Sequence, residues 1–375
     1  MAEAVRTLKD RCAGIGLQLS TGLANSKDKC EVVLVAAEAS TVDVSLFPPD
    51  FKVIRDGNFE LLGGPIGSAD FCNQHTQARV KEATPLLEAL GELPDPQVAL
   101  KLLRHCAGFC KMVFSIRAVP ASFHAEALHA FDAQVRACFE QFTCLYPDDE
   151  QWVQATLPTA SGGLGLRIVA KHSHAAFLAS RLSCFELCQE LDPSDSLLSG
   201  DGSEPSPERL ALDAFNTSVN DDARVPSDSS DKLSQKVLSA AIDTRTFAQL
   251  SQPEVASTSR RAHLSLIIAS GAGLFWQATP SKEAQLNNEP ALFVAMLQRW
   301  LRIPFGGADL QCPCCDGVLD RFGDHALVCC CGGDRTRRHN LLRNMVYHAA
   351  VAANLRPELE TPGQACCRLS LREWQ

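Results

Sequence analysis

Between residues 312 and 331 the chain reads CPCCDGVLDRFGDHALVCCC, six cysteines and one histidine in one short stretch. So small a segment cannot build a core of its own and needs another staple to hold a shape. Cys312 and Cys315 form a C-x2-C step, His325 follows after nine residues, and Cys329 follows after three more. C-x2-C makes a tight turn that aims two thiolates at one point. His325 and Cys329, at i and i+4, share one face of a helical turn. Three sulfurs and an imidazole nitrogen suit tetrahedral Zn²⁺, and four protein ligands leave no open position, so such a site is structural. Asp324, beside His325, is expected to orient a ligand. Cys314, Cys330 and Cys331 adjoin the set and leave the choice of ligand open. The alternative is a reduced cysteine-rich loop. A thioredoxin-like redox pair needs a βαβ setting that the flanking sequence lacks.

Directly downstream runs DRTRRHNLLRNMVYHAAVAANLRPELE, with no acidic residue from Thr336 to Pro357. Arg335, Arg337, Arg338 and Arg343 cluster at the start of this helical run, where guanidinium groups can meet phosphates in bidentate fashion. A solvated helix end is the plainer reading of such a run. Beside a zinc knuckle, RNA or DNA becomes the expected partner.

The rest of the chain constrains these readings. At 375 residues it is long enough for two or three domains. Its seventeen cysteines would form a disulfide framework mainly in a small secreted domain. The N-terminal MAEAVRTLKDRC has no apolar signal core. Reduced thiols and an intracellular location, nucleus or cytoplasm, are therefore expected. The most apolar run, residues 264–276, is too short for a membrane span. The net charge of −9 argues against a uniformly basic nucleic-acid binder, but it is unevenly placed. Residues 190–232 hold eleven acidic and three basic residues, a net of −8, which leaves −1 for everything else. That Ser-, Asp- and Pro-rich segment reads as a solvated linker or partly disordered insert.

Periodicity supplies the remaining elements. CEVVLVAA at 30–37 reads as a buried strand or core run, and GNFELLGGPIG at 57–67 as a short strand or hairpin. Two apolar stripes at helical spacing follow. One is Leu102, Cys106, Phe109 and Val113; the other is Leu128, Phe131, Val135, Cys138 and Phe142. LPTASGGLGLR at 157–167 is a glycine-rich turn, without the complete G-x-G-x-x-G or the G-K-S/T of a phosphate cradle. Asn288 and Pro290 mark a helix start, with Phe293, Met296, Leu297, Trp300 and Leu301 on its buried face.

The segments CPCC, LDRFGDHALVC and RTRRHNLLR together resemble the knuckle and basic helix near the C-terminus of non-LTR (LINE-type) retrotransposon polyproteins. In members with a restriction-enzyme-like endonuclease, that segment lies between polymerase and nuclease. Upstream, GLANSKDKCEVV resembles the end of a reverse-transcriptase palm, with Lys29 matching the palm lysine, and FELLGGPIG resembles the primer-grip hairpin. The helical stretch 76–186 is similar to the thumb region. The resemblance implies that the palm aspartates binding two Mg²⁺ ions would precede Gly16–Lys29, so the chain is expected to begin after them. Mg²⁺ then belongs only to the intact polymerase. YPDD, Tyr146 to Asp149, matches the polymerase signature by letter. It follows the palm-like elements, however, and lacks flanking apolar strands, so a turn is expected there. The P-D and E-x-K carboxylates of the nuclease are not recognisable.

The expected fold is mainly α, with a small α+β palm remnant at the N-terminus. The expected divisions are a partial palm (1–75), a helical thumb-like region (76–188), an acidic linker (189–235), a helical connector (236–305), the CCHC knuckle with its basic helix (306–357) and an irregular tail (358–375). The expected function is that of a reverse-transcriptase fragment, inactive alone, that binds RNA or DNA, with no membrane and no small-molecule substrate. A helical zinc-containing protein-interaction scaffold is the alternative from another class. An active polymerase using Tyr146–Asp149 is a third reading.

Overall fold

The structure, a computed structural model, describes residues 2–17, 31–34, 42–43, 45, 47, 51–193, 205–226, 233–283, 286–329, 331 and 334–359. The chain divides into two compact units, Met1–Leu301 and Arg302–Gln375. The fold class is the expected one, mainly helical with a small α+β part at the N-terminus.

The first unit opens with helix α1 (Ala2–Gly14) and a parallel strand pair, β1 (Glu31–Val33) with β2 (Lys52–Ile54). The expected buried strand or core run at 30–37 is corrected over its described residues, 31–34: Glu31 is exposed and Val32 to Leu34 are only half-buried, and the other positions lie outside the described residues. A two-stranded pair has one face with little to cover it. The expected hairpin is present as β3 (Phe59–Leu61) and β4 (Gly64–Ile66), joined by Leu62-Gly63. Both turn residues have positive φ, 52° and 82°, the backbone of a type I′ turn whose twist matches that of the strands.

Helix α2 (Ala69–Gly91) follows, and α3 (Pro96–Leu102) runs into a π-helical turn, Leu103–Ala107, then a 3-10 turn, Phe109–Lys111, then α4 (Val113–Ala118). This overturns the first apolar stripe. A π turn inserts a residue and rotates what comes after it, so the 4-3-4 spacing does not keep one face. Leu102 and Cys106 are exposed, while Phe109 and Val113 are half-buried. The inward face is instead Ala99, Leu100, Leu103, Ala107, Met112 and Ile116.

The second stripe holds. Helix α5 (Ala121–Thr143) packs along α2, and Leu128, Phe131, Val135, Cys138 and Phe142 are all buried on it. Burial pushes the Cys138 thiol up to about 11, so it packs as a small apolar group. Helix α6 (Asp149–Thr156) begins at the YPDD letters. Asp148 Oδ1 accepts the Gln151 N–H at 2.9 Å, and Gln151 Oε1 accepts the Asp148 N–H at 3.0 Å. This reciprocal pair is a capping box. Asp149 carries an ion pair with Arg136 at 2.9 Å. Both carboxylates thus serve a helix start.

Helix α7 (Val169–Leu191) packs against α4 and α5 on one side, and against α8 (Pro207–Thr217) and α9 (Gln235–Leu250) on another. Its own N-cap position, Ile168, has no side-chain acceptor. Asp132, on α5, supplies one: its two carboxylate oxygens accept the N–H groups of Val169 and Ala170 at 2.7 and 2.9 Å. Burial pushes this carboxyl up to about 6, against the lowering effect of those two hydrogen bonds.

The acidic linker expected at 189–235 is corrected: α7 runs on to Leu191, α9 starts at Gln235, and the described residues 205–226 between them are folded. Ser206 caps α8 by accepting the Arg209 N–H, with Pro207 at the first helical position. Ala211, Leu212, Phe215, Val219 and Val225 join the core beneath α7 and α9. Asn216 brackets Val225 with two backbone hydrogen bonds of 2.9 and 2.8 Å. The averaged acidity of the segment hides one short amphipathic helix. Helices α10 (Thr258–Ile267) and α11 (Pro290–Trp300) complete the unit. Phe293, Leu297 and Leu301 are buried as expected, and Met296 and Trp300 are half-buried. Glu289, rather than Asn288, caps α11.

Candidate metal centre and basic helix

The second unit is organised by a hairpin, β5 (Leu310–Gln311) with β6 (Val318–Leu319), and a short helix, α12 (Asp324–Val328). The Cys312 N–H donates to the Gly317 carbonyl at 2.9 Å and closes the turn. Inside it, the Cys314 N–H points at Cys312 Sγ and the Gly317 N–H at Cys315 Sγ, both at 3.4 Å. The donor at Cys312 helps to hold that thiol down at about 6, whereas at Cys315 the Gly317 donor is outweighed by desolvation and the neighbouring Cys312 and Cys329 sulfurs, which push the thiol up to about 11. Gly317 is required there, because a Cβ would stand 2.6 Å from His325 Cε1 and 3.3 Å from Cys315 Sγ.

Helix α12 is too short to hold itself. Asp320 anchors it, accepting the N–H groups of His325 at 2.6 Å, Phe322 at 3.0 Å and Asp324 at 3.1 Å. Burial raises this carboxyl, but the three hydrogen bonds outweigh it and hold it below the usual carboxylate value. Gly323, at φ 76°, makes the turn into the helix. Asp324, expected to orient a ligand, forms an ion pair with Arg302 at 2.8 Å. Arg302 also lies over the Phe322 ring, 4.5 Å from its centre. The carboxylate that places His325 is therefore Asp320. Sequence reasoning missed Asp320, which lies three residues before the N-cap position, Gly323, and so outside the capping register.

These constraints bring the four expected side chains together. The ligand atoms of Cys312, Cys315, His325 and Cys329 all lie within 4.8 Å of one another. Cys315 Sγ is 3.3 Å from His325 Nε2 and 3.8 Å from Cys329 Sγ, and Cys312 Sγ is 3.9 Å from Cys329 Sγ. Cys312 is buried and the other three are half-buried. Such a cluster can hold a metal ion. Cys314 and Cys331 are exposed and lie outside it; Cys330 is outside the described residues.

Helix α13 (Asp334–Ala352) carries the four arginines. Arg335, Arg337 and Arg338 are exposed and Arg343 is half-buried. At about 100° per residue, Arg335, Arg338 and Arg343 fall within one arc of roughly 140°, with Arg337 on the opposite side. Arg338 Nη2 donates to the Leu327 carbonyl, which ties α13 to the end of α12. Arg343 donates to Asn344 Oδ1 at 3.1 Å. Lys29 lies outside the described residues. Among the described residues, no helix is long and apolar enough to cross a membrane. No family model matches this chain, and no curated protein or solved structure was found to be similar to it.

Proposed function

We propose that residues 302–357 form a zinc-stapled nucleic-acid-binding module. In this reading the chain is related to LINE-type reverse transcriptases and holds RNA or DNA. The observation that carries the proposal is the convergence of three thiols and one imidazole nitrogen on a common point. For tetrahedral Zn²⁺, bond lengths of about 2.3 Å to sulfur and 2.0 Å to nitrogen give sulfur–sulfur edges of about 3.8 Å and sulfur–nitrogen edges of about 3.5 Å. The separations of 3.8, 3.9 and 3.3 Å sit close to those edges. Soft thiolates select Zn²⁺ over hard cations. When bound, the ion supplies folding energy to a segment with almost no core.

The knuckle then holds the first turns of α13 through the Arg338 to Leu327 hydrogen bond, and Arg335 and Arg337 occupy exposed positions on the same helix. Retrotransposon origin rests on the order of the sequence motifs. The experiment is binding of a single-stranded oligonucleotide as a function of salt, with zinc-loaded protein. Each phosphate contact contributes about 0.7 to the slope of log K against log salt for single strands. Arg335→Gln/Arg337→Gln should lower the slope by about 1.4. An unchanged slope would remove the arginines from the interface.

One observation favours the scaffold reading. Leu341, Leu342, Met345 and Val346 on α13 are all more than 60% exposed. Loss of oligonucleotide binding altogether, with self-association through α13, would favour it.

A further inference from the structure

A second feature lies in the helical unit, away from the cysteine cluster in sequence and built from unrelated elements. An open cavity of about 650 Å³ is lined by Lys101, Arg104, His105 and Arg167, with Phe109 and Thr159 among its other walls. Among the described residues, no aspartate or glutamate lines it. Of the four basic side chains, Arg167 has a carboxylate partner, Asp243, at 2.9 Å. Lys101 Nζ and Arg104 Nη1 are held by neutral acceptors, the backbone carbonyls of Gln277 at 2.6 Å and Trp276 at 2.7 Å. Carbonyl oxygens position these groups but cancel no charge. The wall therefore carries two uncompensated positive charges beside an imidazole.

Arg104 is the most telling residue. It is half-buried, and its Nε and Nη2 are buried without a hydrogen-bond partner. Burial lowers its pKa. A guanidinium that is desolvated, unpaired and part-satisfied carries a penalty that a bound anion relieves. The glycine-rich turn at 157–167 is shaped around it. Gly165 has φ 76°, and a Cβ there would stand 3.3 Å from Arg104 Nε. The turn's own amides are not the anion cradle, because they are already spent: the N–H groups of Gly163, Leu164 and Gly165 donate to the carbonyls of Pro158, Ala155 and Leu157. Binding must come from side chains, and arginine with lysine is the combination suited to phosphoryl oxygens.

We propose that this cavity is a phosphate-binding site, sized for a di- or triphosphate group or for a phosphodiester of a nucleic-acid strand. Its volume lies in the range of ligand cavities. The site shares no residue with the metal centre or with the arginines on α13.

The test uses the zinc-loaded full chain and isothermal titration with inorganic pyrophosphate and, separately, with single-stranded oligothymidylate. Chloride replaces the ligand at matched ionic strength as the control. Pyrophosphate should bind the wild type and bind at least tenfold more weakly to Lys101→Gln and to Arg104→Gln. Lys101→Gln guards against a folding artefact, since its side chain is only part-buried and its change leaves the Arg104 contacts in place. Arg335→Gln/Arg337→Gln should bind pyrophosphate as the wild type does, which separates this site from the nucleic-acid surface proposed for α13. Oligothymidylate affinity that falls with Lys101→Gln identifies a strand phosphodiester as the source. Oligothymidylate affinity that does not fall identifies a free polyphosphate. Absence of pyrophosphate binding to the wild type, or equal affinity in wild type and both cavity variants, overturns the proposal.

Discussion

Leu102 and Leu103 are neighbours in the chain, and truncating them separately tests the largest correction to the sequence reading. The 4-3-4 stripe puts Leu102 inward. The π turn after α3 instead buries Leu103 completely and leaves Leu102 37% exposed. Leu103→Ala removes an isobutyl group from a closed site, losing both its transfer energy and the packing around the void, about 3 kcal/mol. Leu102→Ala loses less than two thirds of the transfer energy, and solvent fills the gap, so it should cost about 1 kcal/mol. Helix propensity changes equally in the two variants and drops out of the comparison. The expected difference is therefore about 2 kcal/mol. With a urea slope of about 3 kcal/mol/M, the unfolding midpoints should differ by about 0.7 M, Leu103→Ala being the lower. Circular dichroism during urea titration measures both. Equal midpoints, or a costlier Leu102→Ala, would refute the rotated register and restore the regular stripe.

Three further outcomes follow from the geometry. Purified under reducing conditions, the protein should hold about one Zn²⁺ per chain; Cys315→Ser should increase amide exchange across 312–331 while leaving α5 protected, and zinc retained by His325→Ala/Cys329→Ala would remove the site. Asp148→Ala should cost about 1 kcal/mol as a lost helix cap, and primer extension with Mg²⁺ that disappears in this variant would overturn its assignment as a cap. His124 is buried, its pKa pushed down to about 4 by desolvation, and its Nδ1 lies 2.9 Å from Thr76 Oγ1. The unfolded chain, near 6.5, binds the proton first, so stability present above pH 6.5 is lost as pH falls toward 4, on the order of 3 kcal/mol. His124→Leu should flatten that limb of the stability profile relative to wild type, and identical profiles would show that His124 does not titrate across folding.

Local information determined much of this protein. The mainly helical class, the α5 stripe and the β3–β4 hairpin follow from short-range patterns, because a helix face and a two-residue turn are set by residues a few positions apart. The four metal-ligand candidates were legible for the same reason: a C-x2-C turn and an i, i+4 pair each fix half of the cluster locally. What joins the halves was not legible as a unit. Gly317 and Asp320 act by leaving space and by donating an acceptor to N–H groups that only the closed turn brings near. Tertiary structure alone decided the rest. Asp132 caps a helix that starts 37 residues later, and Phe215 turns part of an acidic segment into core because α7 and α9 offer an apolar surface to cover. Lys101, Arg104 and Arg167 share a cavity only because a π turn and a glycine turn meet. Charge and composition are averages along the chain, whereas burial and cavity walls are set by which distant segments come into contact, and no periodicity within one segment carries that information.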